Sequence, residues 1–229
     1  MRKRSLARAR RRAEGGRGPF ITLEGVEGAG KTTRCRALLS YMQRHGIPHI
    51  HTREPGGPPV AEGVRELLLN PDLDIPPMSE VMLYLASRAA NVELVVRPAL
   101  ESGRAVVCER YSDATMAYQV GGRGLPEEPV RRANALATGG LVPDLTILLD
   151  LSPEEGLSRL GRQGREPDRI ERESLEFHRR VRDYYRRTAD REDRFLVVDA
   201  ALSGEEQDRI IGAAVRELLG IELTTEGLT

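Results

Sequence analysis

Cysteine is scarce in this sequence, and the two present, Cys35 and Cys108, sit in patterned, apolar-flanked segments. That excludes a disulfide-stapled scaffold and reads as two reduced core thiols in a cytoplasmic protein. Net charge is missing too, since Lys+Arg 35 against Asp+Glu 35 gives +0. A neutral molecule has no overall field to draw it onto nucleic acid or an anionic membrane, so neither is expected as a partner and cationic chemistry must be local. No apolar run approaches the roughly 20 residues that span a bilayer, and the N-terminus lacks the apolar centre of a signal peptide. No internal repeat is visible, and no Cys/His cluster suggests a structural metal.

A hydrophobic content of 39% in 229 residues supports one sizeable core, so a single domain over 19–222 is expected. Ahead of it, "MRKRSLARARRRAEGGRG" is dense in arginine and poor in large apolar groups. Residues 1–18 therefore read as a disordered basic extension, with an arm for nucleic acid or acidic lipid as the other reading.

From Pro19 onward short β-rich runs alternate with longer helical patterns, which predicts an α/β fold with a five-stranded parallel sheet between helical layers. The strands are expected at Phe20–Glu24, Ile47–Thr52, Ala105–Glu109, Leu145–Asp150 and Phe195–Asp199. Helices are expected at Thr32–Arg44, Val60–Leu69, Ser79–Ser102, Pro129–Ala137, Pro153–Leu160, Ile170–Ala189 and Glu205–Leu219. Pro98 lies inside the third, which predicts a bend or an early end near Val96. Most strands close on a polar or acidic residue, where open α/β sheets bind ligands.

Gly25-Val26-Glu27-Gly28-Ala29-Gly30-Lys31-Thr32 fits G-x-x-x-x-G-K-[ST] and lies after a strand and before a helix, as that phosphate-binding loop requires. Glycines let backbone N–H groups turn inward around phosphate oxygens, and the following helix, with Thr33 in its first turn, adds its positive end. Lys31 can reach the β and γ phosphates and Thr32 can offer its hydroxyl to Mg²⁺. The pattern alone leaves a GTPase, an ATPase motor and a small-molecule kinase open. No N-K-x-D is present, which argues against a GTPase, and "AVVCERY" ends in Glu109-Arg110 where motors usually carry Asp-Glu. An acid followed by an arginine suits a metal beside a second phosphate.

Four stretches, "FITLEGVEGAGKTT", "TREPGG", "ERYSDATMAYQ" and "REPDRIERESLEFHRRVRDYY", together resemble the bacterial thymidylate kinase family over Phe20 to about Ala200. The resemblance implies a P-loop NTPase-type kinase with a mobile lid, ATP as donor with Mg²⁺, dTMP as acceptor in the supply of dTTP, and a homodimer. It places the ATP phosphates on Gly25 to Thr33, the metal on Thr32 and Glu109, and catalytic roles on Lys31, Arg110 and Glu27. It assigns Arg53 to the acceptor phosphate, Tyr84 to stacking on the base, Arg88 and Thr115 to the base edge, and Tyr118 to the 2′ position of the deoxyribose, with Gln119 beside it. Read without the resemblance, Tyr84 is plain core packing. Glu109 and Ala114 depart from the family's usual Asp and Ser, so metal contact through the longer Glu109 is expected to become water-mediated.

"RLGRQGREPDR" strings Arg159, Arg162, Arg165 and Arg169 along a glycine-broken segment, which predicts a lid over 159–169. Arg162 and Arg165 are the candidates to stabilise the transferring phosphoryl group. No general base is needed, because the acceptor oxygen is already ionised. His45, His49, His51 and His178 are accordingly read as surface or strand-flanking. The competing readings are a kinase for another deoxynucleoside monophosphate and an ATPase driven by the basic extension.

Overall fold

Alternating apolar and β-branched residues produce five strands: β1 (Phe20–Glu24), β2 (His49–Arg53), β3 (Ala105–Glu109), β4 (Leu145–Asp150) and β5 (Phe195–Asp199). All pair in parallel in the order β2-β3-β1-β4-β5. The computed structural model describes residues 16–162, 164 and 166–221. Buried on both faces, β1 and β4 carry the near-continuous apolar character of central parallel strands.

The helices are α1 (Lys31–Arg44), α2 (Pro59–Leu69), α3 (Pro77–Asn91), α4 (Arg97–Glu101), α5 (Ser112–Thr115), α6 (Glu127–Thr138), α7 (Pro153–Gly161), α8 (Leu175–Ala189) and α9 (Gly204–Leu219). Alternate residues of β1 serve opposite faces of the sheet. Ile21 and Leu23 enter a core with Cys35, Leu38 and Met42 of α1, while Phe20 joins Val106, Cys108, Val96, Leu100 and Tyr111. Thr22 and Thr146 bond to each other at 3.0 Å between neighbouring strands, which satisfies two buried hydroxyls.

The sequence-predicted elements are all present, with differences that have physical causes. The helix predicted over Ser79–Ser102 begins at Pro77 and, in place of an early end near Val96, runs on to Glu101. It widens into a π-helical stretch, Val92–Val96, in which the Arg97 N–H donates to the Val92 carbonyl. Proline cannot donate to the ladder and its ring crowds the carbonyl four residues back, so a wider turn accommodates it. The helix predicted from Ile170 starts at Leu175, because the Asp168 carboxylate accepts the N–H groups of Ile170 and Glu171, both at 3.0 Å, and holds a separate turn. Ser174 then caps α8 by accepting the Phe177 N–H. Unforeseen were α5 and the π-helical stretch Met116–Gly122 that continues it. Two successive glycines and only a few residues of periodicity hide that element in the sequence.

Residues 1–15 of the predicted basic extension lie outside the described residues. The extension does not reach 18 as expected, for Arg17 pairs with Asp144 at 2.8 Å and the Gly18 N–H donates to the Leu100 carbonyl at 2.7 Å. Among the described residues no helix is long and apolar enough to cross a membrane.

Candidate active site

The loop between β1 and α1 curls over the carboxyl end of the central strand. Gly25, Gly28 and Gly30 have φ of 142°, 71° and 90°, a region side-chain-bearing residues rarely enter. Gly28 is required twice over: a Cβ there would lie 2.1 Å from the Gly156 carbonyl oxygen at the start of α7. Val26 and Ala29 are buried and fix the loop to the core, leaving Thr32 and Thr33 exposed in the first turn of α1. The Lys31 amine donates to the carbonyls of Gly25 at 3.0 Å and Val26 at 2.7 Å. Burial first, and Arg110 next, push this amine down to about 7, against the pull of Glu27, Glu24 and Glu109.

At the end of β3 the two residues after Cys108 serve different ends of the cleft. Thr32 donates its hydroxyl to Glu109 at 2.6 Å, and the same carboxylate meets the His51 ring at 3.1 Å. Burial opposes ionisation of Glu109, but His51, Thr32 and Lys31 outweigh it and hold the carboxyl below its usual range. Arg110 takes φ 65°, a left-handed conformation that costs a non-glycine residue roughly 1–2 kcal/mol. That turn delivers its guanidinium to Glu27 at 2.6 Å and to the Gly25 carbonyl at 3.2 Å, above the Tyr118 ring. Tyr118 donates its hydroxyl to the other oxygen of Glu27. Burial alone would raise the Glu27 carboxyl, yet Arg110, Lys31 and Tyr118 keep it lowered.

Beneath this cluster Glu24 is fully buried and accepts the Tyr111 N–H and the Tyr185 hydroxyl, each at 2.7 Å. Burial first, then Asp113, push its carboxyl up to about 7.

Arg88 of α3 is tightly held. At 1% exposure it donates to Glu54 (2.7 Å), Thr115 (2.8 Å), Asn134 (2.5 Å) and the Tyr111 carbonyl (2.8 Å), leaving one of its five N–H groups over. Tyr84, half-buried, lines the cavity beside it, and burial raises its phenol. Gln119 is fully buried and gives its amide to Glu80, a buried carboxylate that also takes Arg123 at 2.9 Å and Arg169 at 2.5 Å. Arg53 is exposed and pairs with Glu62 at 3.1 Å above the turn.

One continuous cavity of about 770 Å³ runs through this region. Gly28, Lys31 and Thr32 form one end, Tyr84, Arg88 and Thr115 the other, with Glu109, Arg110 and Tyr118 between them.

Of the predicted lid arginines, Arg159 is tied to Glu155 at 2.5 Å and Arg169 to Glu80 and the Leu68 carbonyl. Arg162 is exposed at the end of α7, and Arg165 lies outside the described residues. The reading of His178 as surface or strand-flanking is wrong. It is fully buried on α8 with neither ring nitrogen partnered, and burial lowers its basicity. His51 lies within β2 rather than beside a strand, with its side chain partly exposed, and its contact with Glu109 brings it into the site. No Cys/His cluster is visible along the chain, yet folding brings donor atoms of Cys35, His51 and Glu109 within 4.8 Å of one another. Burial first, with Glu109 adding to it, pushes the Cys35 thiol up to about 12. Arg65, also unforeseen, lines the cavity and donates to the Pro55 carbonyl at 2.8 Å.

A glycine-cradled helix N-terminus joined by one cleft to a second pocket of arginines and aromatic rings defines a P-loop kinase of nucleoside monophosphates. The thymidylate kinase family model matches residues 23–211. A thymidylate kinase of Carboxydothermus hydrogenoformans is 50% identical over 190 residues, 83% of this chain and 93% of that protein. One of Deinococcus radiodurans is 50% identical over 201 residues, 87% and 97% of the two chains. The crystal structure of thymidylate kinase from Ehrlichia chaffeensis superposes with a TM-score of 0.71 at 28% identity, covering 87% of this chain and 98% of that one. The chain belongs to the thymidylate kinase family, whose members transfer a phosphoryl group from ATP to dTMP, giving dTDP for dTTP synthesis.

Proposed function

We propose that the cleft holds ATP and dTMP end to end, with the transfer taking place between Lys31 and Arg110. The observation that carries this is the single cavity joining the cradle to the arginine-lined pocket. The cradle from Gly25 to Thr33 takes the ATP phosphates, and Lys31 exchanges its loop carbonyls for β and γ oxygens. Arg53 and Arg110 take the acceptor phosphate, and Arg53 leaves the exposed pair with Glu62 to do so. An ionised oxygen of that phosphate attacks the γ phosphorus as the β–γ bridging bond breaks and ADP departs. No proton has to be removed, so the protein supplies position and positive charge.

Thr32 and Glu109 present the hydroxyl and carboxylate oxygens a hard cation prefers, already 2.6 Å apart, and would hold Mg²⁺. When bound, that ion neutralises charge on the β and γ phosphates. Glu27 fixes Arg110 and, through Tyr118, the ring that fills the space a 2′-hydroxyl would need. Tyr84 faces the base, Arg88 and Thr115 its edge, and Gln119 supports the wall from behind. Arg162, at the end of α7, and Arg165, which lies outside the described residues, are the candidates within 159–169 to reach the γ phosphate.

The working form is a homodimer. Leu67 of α2, Met78 and Met82 of α3, and Leu94 of the π-helical stretch that continues α3 are exposed apolar groups, and α2 and α3 pack side by side. The setting is cytoplasmic, consistent with two free buried thiols.

An ATP-coupled assay comparing kcat/KM for dTMP, dUMP, dCMP and UMP tests the acceptor assignment. dTMP should be preferred and UMP nearly inert; a better rate with another acceptor would remove the roles given to Tyr84, Arg88 and Tyr118. Sedimentation of the wild type and of Met82→Glu tests the dimer, which the variant should dissociate.

A further inference from the structure

We propose that Cys35, His51 and Glu109 form a second metal site, for a soft divalent cation such as Zn²⁺, and that filling it inhibits the kinase by taking Glu109 away from Mg²⁺.

The three donors come from three elements. Cys35 points from α1 into the core beneath β3, His51 leaves the edge strand β2, and Glu109 ends β3 beside it, in register with Arg53. Cys35 Sγ, a His51 ring nitrogen and a Glu109 carboxylate oxygen lie within 4.8 Å of one another, and His51 Nε2 and Glu109 Oε1 are already 3.1 Å apart. Zinc bonds of about 2.0–2.3 Å in a tetrahedron require ligand atoms roughly 3.3–3.7 Å apart, so the set closes with side-chain shifts on the order of 1 Å. His51 has the freedom for this, its side chain being 39% exposed on an edge strand.

The donor set is also selective. Thiolate and imidazole suit zinc, whereas Mg²⁺ takes oxygen ligands and keeps its waters, so the magnesium of the reaction has no reason to enter. His51 and Glu109 border the cavity and the sulfur lies behind them, which leaves the fourth position facing the cleft for a water. As the metal–sulfur bond forms, the thiol proton leaves to solvent, with no change in oxidation state. Glu109 is then shared between two cations, and the softer ion, held by two further protein donors, keeps it.

The binding claim is independent of the assigned reaction; the inhibition rests on the reading of Glu109 as a magnesium ligand. Co²⁺ is a probe for the first, because a thiolate–cobalt bond gives a charge-transfer band in the near ultraviolet. The full chain should show a saturable band at one equivalent of Co²⁺, displaced by Zn²⁺. The band should vanish in Cys35→Ser, and affinity should fall on the order of tenfold or more in His51→Leu. Absence of the band, or its loss in Cys108→Ser instead, overturns the site. For the second claim, the ratio of Zn²⁺-inhibited to uninhibited rate is measured with Mg²⁺ and ATP in large excess. Wild type should need on the order of tenfold less Zn²⁺ for half-inhibition than His51→Leu. Equal sensitivity overturns the inhibitory claim, and a Cys35-dependent band without inhibition places that failure on the role of Glu109. If Cys35→Ser does not fold, His51→Leu carries both comparisons.

Discussion

Binding of ATP should draw a proton from solvent, and Lys31 is the group that takes it. Without phosphate its amine is crowded by the loop and by Arg110, and its pKa stands at about 7. Triphosphate oxygens around the amine restore an ordinary lysine pKa, because they supply the negative charge that burial withholds. An amine with a pKa near 7 is about nine-tenths neutral at pH 8, so roughly 0.9 proton should be taken up per ATP there, falling to roughly 0.1 at pH 6. Recharging the amine costs about 1.4 kcal/mol for each pH unit above 7, so Kd for ATP should rise about tenfold between pH 8 and pH 9. Titration calorimetry at pH 8 in two buffers of different ionisation enthalpy reads the uptake directly, since the apparent enthalpy changes by that many buffer protonations. Lys31→Met should abolish it. Uptake near zero in the wild type, or unchanged uptake in the variant, would refute the reasoning.

Three further outcomes follow from particular contacts. Glu24 has its native carboxyl raised to about 7 above an ordinary 4.5, so the folded protein holds the extra proton and stability falls as pH rises from about 4.5 to 7. Glu24→Gln, neutral throughout, should remove that slope and gain on the order of 3 kcal/mol at pH 8, read from urea midpoints. Arg88→Met strands the buried Glu54 carboxylate and should cost roughly 3–5 kcal/mol of stability, with a urea midpoint shifted at unchanged m-value. Tyr118→Phe keeps the ring and should leave UMP excluded, while Glu27 loses a charge-assisted bond worth about 1.5–3 kcal/mol; kcat for dTMP should therefore fall about tenfold or more, and Tyr118→Ala should admit UMP.

The sheet, the cradle and the adjacent Glu109 and Arg110 at the end of β3 were legible because each is written locally. Strand periodicity, glycine spacing and a lysine-threonine pair need no knowledge of the rest of the chain. The partners of those residues were not legible. Nothing near Arg88 in sequence announces that Glu54, Thr115, Asn134 and the Tyr111 carbonyl converge on it, since they arrive from separate elements. The Cys35, His51 and Glu109 grouping was hidden for the same reason. His178 was misread because a histidine on a strongly amphipathic helix gives no sign of facing the core until its neighbours are known, and Phe177 beside it packs edge-on at 5.3 Å. Glu109 shows the same limit: its bond to the Thr32 hydroxyl at 2.6 Å joins residues 77 positions apart, which no local pattern announces.

Arg88 enters the cleft with its rotamers already chosen. A long side chain usually loses up to about 2 kcal/mol of freedom when a ligand immobilises it, but here folding has absorbed that loss before any nucleotide arrives. Any acceptor atom meeting the remaining N–H therefore encounters something close to a fixed backbone donor. Binding there should be steep in geometry, insensitive to temperature through side-chain entropy, and hard to redirect by exchanging the arginine alone.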